Sequence, residues 1–277
     1  MSIRVEIPKD LTQLWDILSQ DGAKVIAGGT DLMVRIRAKV EKPALMVDLT
    51  RIPELHMFKR EGRTISIGAT LTHGELLKHK IPPLLHDAIS TIGSPQIRNM
   101  GTIGGNICNA SPAGDAILPL YVYDAEVVLA SKGGTRRVPI EKFIKGPGKV
   151  DLKKGEILSK IEITDQYSGY HYLFKKVGKR VAMTISIVSM GLIFKTEGDI
   201  IRDIKIAYGA VAPTVLRMRE VEEYLIGKPI EDSILQHAKE IVMDTVSPID
   251  DIRATGEYRR KVAGNLIFLL KEAYGKL

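Results

Sequence analysis

The sequence predicts an α+β fold, and three observations carry that expectation. Extended stretches cluster together instead of alternating strictly with helices, a hairpin is legible around Gly133 and Gly134, and the last third reads as extended segments followed by helices. No repeat of fixed period and no low-complexity tract interrupts the chain.

Residues 10–22 place Leu11, Leu14, Trp15 and Leu18 at helical spacing, with Asp10 as N-cap and Gly22 past the end. An apolar strand through Val25 and Ile26 is broken by Gly28-Gly29-Thr30-Asp31, and the spacing of Leu32, Met33 and Val34 starts a helix capped by Thr30 or Asp31. A buried strand over 44–49 closes a small βαβ-like unit near Pro53. A second unit opens with a strand over 65–69, and Thr72 with Glu75 has the spacing of a capping box. A helix over 82–92 leads to a second glycine pair, Gly104-Gly105, read as a loop, and a short helix follows over 116–123. Strands over 126–131 and 136–140 form the hairpin. Glycine and proline near 146–148 and 167–169 punctuate the chain, and the boundary is placed at residue 169. Beyond it, extended segments over 170–177, 185–195 and 201–212 precede helices over 215–226, 231–245 and 256–274.

Two glycine pairs carry the chemistry. Glycine has no Cβ and tolerates φ > 0, so backbone N–H groups can approach a ligand closely, and runs of such groups form anion-binding concavities. Strand, glycine turn and helix N-terminus in succession make a phosphate site. The stretch from Thr102 to Asp115 adds small polar residues and one carboxylate to its glycines. Neither G-x-G-x-x-G after a strand nor G-x-x-x-x-G-K-[ST] is present, which sets aside a Rossmann or Walker reading.

Of the 277 residues, 44% are hydrophobic and 26% charged, the balance of an ordinary soluble globular protein. Apolar stretches fall short of the ~20 residues needed to span a bilayer, and residues 1–6 lack the apolar core of a signal peptide, so a cytoplasmic location and no membrane span are expected. The net charge of +7 is spread over short clusters, among them Lys175-Lys176 with Lys179-Arg180, so nucleic-acid binding is not expected. A single cysteine, Cys108, excludes an intrachain disulfide and an iron–sulfur cluster ligated by this chain alone.

At the glycine pairs the chain resembles the FAD-binding medium subunits of molybdenum hydroxylases, the xanthine dehydrogenase and carbon monoxide dehydrogenase family. Ala27-Gly28-Gly29-Thr30-Asp31 is similar to the family's first loop, and Thr102-Ile103-Gly104-Gly105-Asn106 with Ala110-Ser111-Pro112 and Asp115 to its second. Further landmarks are Glu156-Ile157-Leu158, Phe174-Lys175-Lys176 and the segment from Arg253 to Arg260. The resemblance implies a two-subdomain, PCMH-type FAD domain over 1–169, with subdomains of about 1–53 and 54–169. A smaller α+β domain of the carbon monoxide dehydrogenase flavoprotein type would fill 170–277, with a three-stranded antiparallel sheet and a helical bundle. It implies non-covalent FAD held by Val25, Ile26, Ala27, Gly28, Gly29, Thr30, Asp31, Leu32, Ile92, Thr102, Ile103, Gly104, Gly105, Asn106, Ser111, Asp115, Leu158 and Lys175. The loops would wrap the pyrophosphate, Asp115 would bond a ribose hydroxyl, Ile92 and Leu158 would line the cofactor, and Lys175 would lie near the flavin ring.

The implied assembly is a heterotrimer with a large molybdopterin-binding subunit and a small [2Fe-2S] subunit, passing electrons to NAD, a quinone or oxygen. Thr30-Asp31 departs from the His-Ser pair of the carbon monoxide enzymes, which leaves the substrate unassigned. The residues alone keep two other classes open, a stand-alone FAD oxidase or reductase and a non-enzymatic nucleotide-binding module. Individual residues also have plain readings: Asp115 as an N-cap, Cys108 as a small buried hydrophobe, His73 and His79 as ordinary surface or cap residues, and Lys175 as a solvated lysine.

Overall fold

The structure is a computed structural model that describes residues 3–20, 22–180 and 183–275. In chain order the first elements are β1 (Arg4–Glu6), α1 (Leu11–Leu18), β2 (Ala23–Ile26), α2 (Leu32–Arg37), β3 (Leu45–Asp48), β4 (Phe58–Glu61), β5 (Thr64–Gly68) and α3 (His73–Leu76). Then come α4 (Pro83–Ser90), α5 (Pro95–Met100), α6 (Ile103–Asn109), α7 (Ile117–Val122), β6 (Glu126–Ser131), β7 (Gly134–Pro139), α8 (Ile140–Phe143), β8 (Ile144–Gly146), β9 (Lys149–Val150) and β10 (Ile157–Thr164). The chain ends with β11 (His171–Val177), β12 (Val188–Glu197), β13 (Ile200–Gly209), β14 (Leu216–Arg217), α9 (Arg219–Leu225), α10 (Asp232–Thr245), α11 (Gly256–Leu266) and α12 (Leu269–Tyr274). Among the described residues no helix is long and apolar enough to cross a membrane.

The chain divides into two compact units. The first comprises Met1–Ile81, Gly93–Ala110 and Asp124–Thr164; the second comprises Pro82–Ile92, Ser111–Tyr123 and Asp165–Leu277.

In the first unit β1, β3 and β2 form a parallel sheet in that order, with Val5 opposite Met46 and Val25 opposite Val47. The Asp10 side chain caps α1 by accepting from the Gln13 N–H at 2.8 Å, and the helix buries Leu14 against Leu45, Val47 and Leu49. A five-stranded antiparallel sheet runs β4-β5-β10-β6-β7. Its hairpin falls at the expected glycines, with Ser131 opposite Gly134, while β4 has charged residues at three of four positions and gave no apolar alternation to read. The capping box at Thr72 and Glu75 is formed in both directions.

In the second unit β11, β12 and β13 make the long antiparallel strands, and the two-residue β14 extends them. Ile187, Val188, Met190, Leu192 and Phe194 build its core with Ile204, Ile206 and Tyr208, covered by α9, α10 and α11. Leu216 and Arg217 lie in β14, so the helix expected from residue 215 begins at Arg219. The helix expected over 256–274 is two helices, with Ile267 and Phe268 between them. Gly191 packs its open face against Leu118, whose Cδ2 lies 2.2 Å from where a Cβ would stand.

Candidate functional site

The first unit contains a cleft of about 430 Å³, walled by Val25 to Leu32, Gly104, Gly105, Ile157 and Leu158 among others. β2 delivers the chain to Ile26, where the parallel pairing with β3 ends opposite Asp48. The next residues turn sharply. Gly29 sits at φ +67°, in the left-handed region that favours glycine. Gly28 is fixed by packing: a Cβ there would stand 1.9 Å from the Met100 carbonyl oxygen.

Met33 donates to the Gly29 carbonyl and Arg35 to that of Asp31, which starts α2. The N–H groups of Gly28, Gly29, Thr30 and Asp31 donate to no acceptor among the described residues. Asp31 occupies the N-cap position without a side-chain cap bond. Four consecutive open donors beside a cleft suit an anion, because each such N–H otherwise needs a partner. The residues therefore fit a phosphate or pyrophosphate group.

The second glycine pair differs from the expected loop. Gly104 and Gly105 lie inside the first turn of α6, whose N-cap Thr102 accepts from the Gly105 N–H at 3.1 Å. Donors at this helix start are consumed internally, Ile103 to the Leu71 carbonyl, Gly104 to that of Ala69 and Asn106 to that of Thr102. The sequence hid this helix because two glycines disfavour one, and the Thr102 cap outweighs them. Gly104 is required by packing, since a Cβ would stand 2.6 Å from the Ala69 oxygen, whereas Gly105 is exposed and a Cβ there meets only Thr102 Oγ1 at 2.9 Å. Thr102 and Ile103 are buried outside the cleft wall. Asn106 is half-buried, and its Oδ1 is a buried acceptor without a partner.

Several wall residues gave no sequence signal. At one side Glu41 accepts from Arg35 at 3.1 Å and from Lys24 at 3.4 Å, a charged group brought together only by the fold. At another, Glu156 receives a bidentate pair from Arg136, at 2.8 Å on each oxygen. That hydrogen-bonded guanidinium holds the Glu156 carboxyl at about 2, against burial. Gly148, Val150 and Leu152 also reach the wall, carried there by β9 and the residues on either side of it. Cys108 lines the cleft, and burial pushes its thiol up to about 12, so it is a protonated wall residue.

Ile92, Ser111, Asp115 and Lys175 belong to the second unit. Asp115 is not the N-cap of α7: Ala116 holds that position and no side chain caps it. The carboxylate instead accepts from Lys176 Nζ at 2.6 Å and from Ser186 Oγ at 2.5 Å. Burial raises its pKa, and Lys176 opposes that rise. Lys175 is exposed on β11, one residue from the buried Lys176. His73 is also not a surface residue. It is 2% exposed with Nδ1 unpaired, and burial, helped by Arg98, holds its pKa at about 4. His79 is exposed and stacks on Phe58.

A strand, an open-donor glycine turn and a cleft in an α+β chain define a nucleotide-cofactor binding protein outside the Rossmann and Walker classes. Residues 1–164 match the FAD binding domain in molybdopterin dehydrogenase, and residues 172–273 match the CO dehydrogenase flavoprotein C-terminal domain. The chain belongs to this family of FAD-binding medium subunits of molybdenum hydroxylases, and its activity class is that of an oxidoreductase subunit. It is 37% identical over 246 residues to the glyceraldehyde dehydrogenase medium chain of Sulfolobus acidocaldarius, covering 87% of each chain. It is 30% identical over 266 residues to the carbon monoxide dehydrogenase medium chain of Hydrogenophaga pseudoflava, covering 94% of this chain and 92% of that one. A solved structure of the Hydrogenophaga pseudoflava carbon monoxide dehydrogenase superposes with a TM-score of 0.94 at 29% identity, over 99% of this chain and 98% of that one. Quinoline 2-oxidoreductase from Pseudomonas putida gives 0.93 at 26% identity, over 99% and 98% of the two chains.

Proposed function

We propose that this chain is the flavin-carrying electron-transfer subunit of a molybdenum hydroxylase, taking electrons from iron–sulfur clusters of a partner and passing them to an external acceptor. The observation that carries the cofactor assignment is the set of four open N–H donors, Gly28 to Asp31, at the edge of the 430 Å³ cleft. FAD, when bound, supplies the redox chemistry, and the protein orients and tunes it. The residues of the first unit have distinct parts. Gly28 to Asp31 offer donors to the pyrophosphate, Val25, Ile26, Ala27, Leu32 and Leu158 supply apolar wall, and Gly105 leaves room for close approach. Thr102, Ile103, Gly104 and Asn106 fix α6. Ile92, Ser111, Asp115 and Lys175 complete the proposed set, with Lys175 as the cation that tunes the ring.

No histidine stands in the cleft wall and Cys108 stays protonated, which supports non-covalent attachment. A single cysteine supports placing the [2Fe-2S] clusters on a small partner and the molybdopterin on a large one. Relatives named as medium chains and FAD subunits support a multisubunit assembly, here a heterotrimer with NAD or a quinone as acceptor. A cytoplasmic location and domains divided at residue 169 belong to the same reading.

The test is purification of the full chain and of whatever accompanies it. A yellow protein whose FAD is released by acid, copurifying with a molybdopterin subunit and a cysteine-rich subunit, is the expected result. A colourless chain sinks the cofactor assignment. Sustained substrate oxidation by the isolated chain sinks the subunit assignment.

A further inference from the structure

Arg259 of α11 is 3% exposed, with its guanidinium at the start of β12 and the end of β13 in the second unit. Nη1 donates to the Ile187 carbonyl at 2.6 Å and to the Ala210 carbonyl at 3.3 Å. Nη2 lies 2.8 Å from Asp251 Oδ1, and Nε is enclosed without a partner. Burying a guanidinium is costly, and a buried ion pair is weak evidence of a gain in stability. The role of this one follows from where its two carbonyls lie.

Ile187 follows Ser186, whose hydroxyl donates to Asp115 Oδ1 at 2.5 Å. β12 begins at Val188, so Ser186 lies outside the strand ladder. Its place is fixed through the next peptide, where the Ile187 N–H donates to the Val177 carbonyl at 2.8 Å and the Ile187 carbonyl accepts from Arg259. Val177 in turn follows Lys176, the donor to Asp115 Oδ2. Ala210 is left-handed, at φ +62°, a conformation that a residue other than glycine keeps only where its surroundings over-determine it. Its N–H donates at 2.8 Å to the carbonyl of Pro112, in the segment leading to Asp115, and its own carbonyl accepts from Arg259. One guanidinium therefore holds, from behind, both the segment that carries the acid and the residue that orients it. The directed donors of arginine suit that task better than an ammonium.

We propose that Arg259 is a positioning residue for the FAD site, fixing the direction of the Asp115 carboxylate that meets the cofactor. This rests on the assignment of Asp115 to the cofactor set and goes beyond it, since Arg259 bonds to no member of that set. The test measures the Kd for FAD of the deflavinated full-length chain, by flavin fluorescence, in a double-mutant cycle. Asp115→Asn and Arg259→Met should each weaken FAD roughly tenfold, and the double variant should be no weaker than the worse single one, because a positioning residue then has nothing left to act on. Should Arg259→Met not fold, Arg259→Lys takes its place, with a several-fold effect and the same masking by Asp115→Asn. Asp251→Asn removes the charge beside Nη2 and leaves the Nη1 bonds, so it should lower the melting temperature and keep the Kd within about twofold of wild type.

An unchanged Kd in the folded Arg259 variant overturns the proposal, as do additive losses in the cycle. An equal loss of FAD affinity in Asp251→Asn also overturns it, because the effect would then follow stability. If the wild-type chain is yellow and Asp115→Asn binds FAD as tightly, this proposal falls while the FAD assignment stands. A wild-type chain that takes up no FAD sinks both.

Discussion

Lys176 and Asp115 form a buried ion pair across 61 positions of sequence, with Nζ 2.6 Å from Oδ2 and both side chains less than a tenth exposed. Ser186 holds the other carboxylate oxygen, and Lys176 also donates to the Thr91 carbonyl at 3.2 Å. β11, the start of α7 and the end of α4 are thereby tied at one point of the second unit. Adjacent lysines take opposite roles because strand residues alternate faces: Lys176 turns inward to structure, Lys175 outward to solvent.

Lys176→Met should therefore cost stability out of proportion to one surface charge. Removing one partner of a buried pair leaves the other uncompensated, roughly 3–5 kcal/mol. The loss should shrink at low pH. Burial already raises the Asp115 pKa and Lys176 opposes that rise, so without Lys176 the group favours its neutral form still more. A raised folded pKa gives stability that is full below the unfolded value of 3.8 and lost as pH rises through the folded value. Denaturant unfolding of the variant at pH 4 and pH 7 checks this, and Asp115→Asn/Lys176→Met should recover part of the loss at pH 7.

The glycines of the two pairs should separate folding from cofactor retention. Gly28→Ala and Gly104→Ala drive a Cβ into backbone, 1.9 Å from the Met100 oxygen and 2.6 Å from the Ala69 oxygen. Both should lower the melting temperature substantially. Gly105→Val crowds only the Thr102 hydroxyl and lies in the cleft wall, so it should lower the melting temperature less than the other two changes yet carry less FAD. The ratio of flavin to protein absorbance beside the thermal transition decides it, and full FAD content in Gly105→Val would remove that residue from the cofactor set.

Glu156 predicts an acid-sensitive step. Arg136 holds its carboxyl at about 2, depressed from 4.5, so its contribution is present above pH 4.5 and lost as pH falls toward 2. With the solvent at its rim allowed for, the contribution is about 2 kcal/mol. Glu156→Gln should flatten the stability profile in that interval and leave it unchanged in slope above pH 5.

Much of this arrangement was legible in the chain. Asp10, Thr72 with Glu75, and the Gly133-Gly134 turn announce themselves through local chemistry, and each forms as read. The first glycine turn was legible because a strand runs straight into it. α6 was not, because glycine propensity argues against a helix whose stability comes from Thr102 and from Ile103 and Ile107 buried in the core. The charged groups at the cleft were invisible for another reason: Lys24 with Glu41 and Arg136 with Glu156 are separated by 17 and 20 positions, and only tertiary pairing brings them together. Arg259, with its two carbonyl anchors, looked in sequence like any solvated basic cluster.

His73 supplies the sharpest pH test of the first unit. Its ring is almost fully enclosed beside Gly101, and the His73 backbone N–H donates to the Gly101 carbonyl at 2.9 Å. Burial is the main cause that lowers its pKa from 6.5 to about 4, with Arg98 adding like-charge repulsion. The folded state thus holds the neutral imidazole while the unfolded chain takes up a proton below pH 6.5. Stability from this group is complete above 6.5 and is lost as pH falls toward 4, a difference of about 3 kcal/mol at about 1.4 kcal/mol per pKa unit. That window overlaps the one set by Glu156 only between pH 4.5 and 4, so the two steps separate. His73→Leu keeps an apolar side chain in the site and removes the unpaired Nδ1 together with the titration. Its stability curve should run flatter than wild type between pH 6.5 and 4 and parallel to it between pH 4 and 2. An unaltered slope in the upper window would mean that the ring gains a proton without opening the fold.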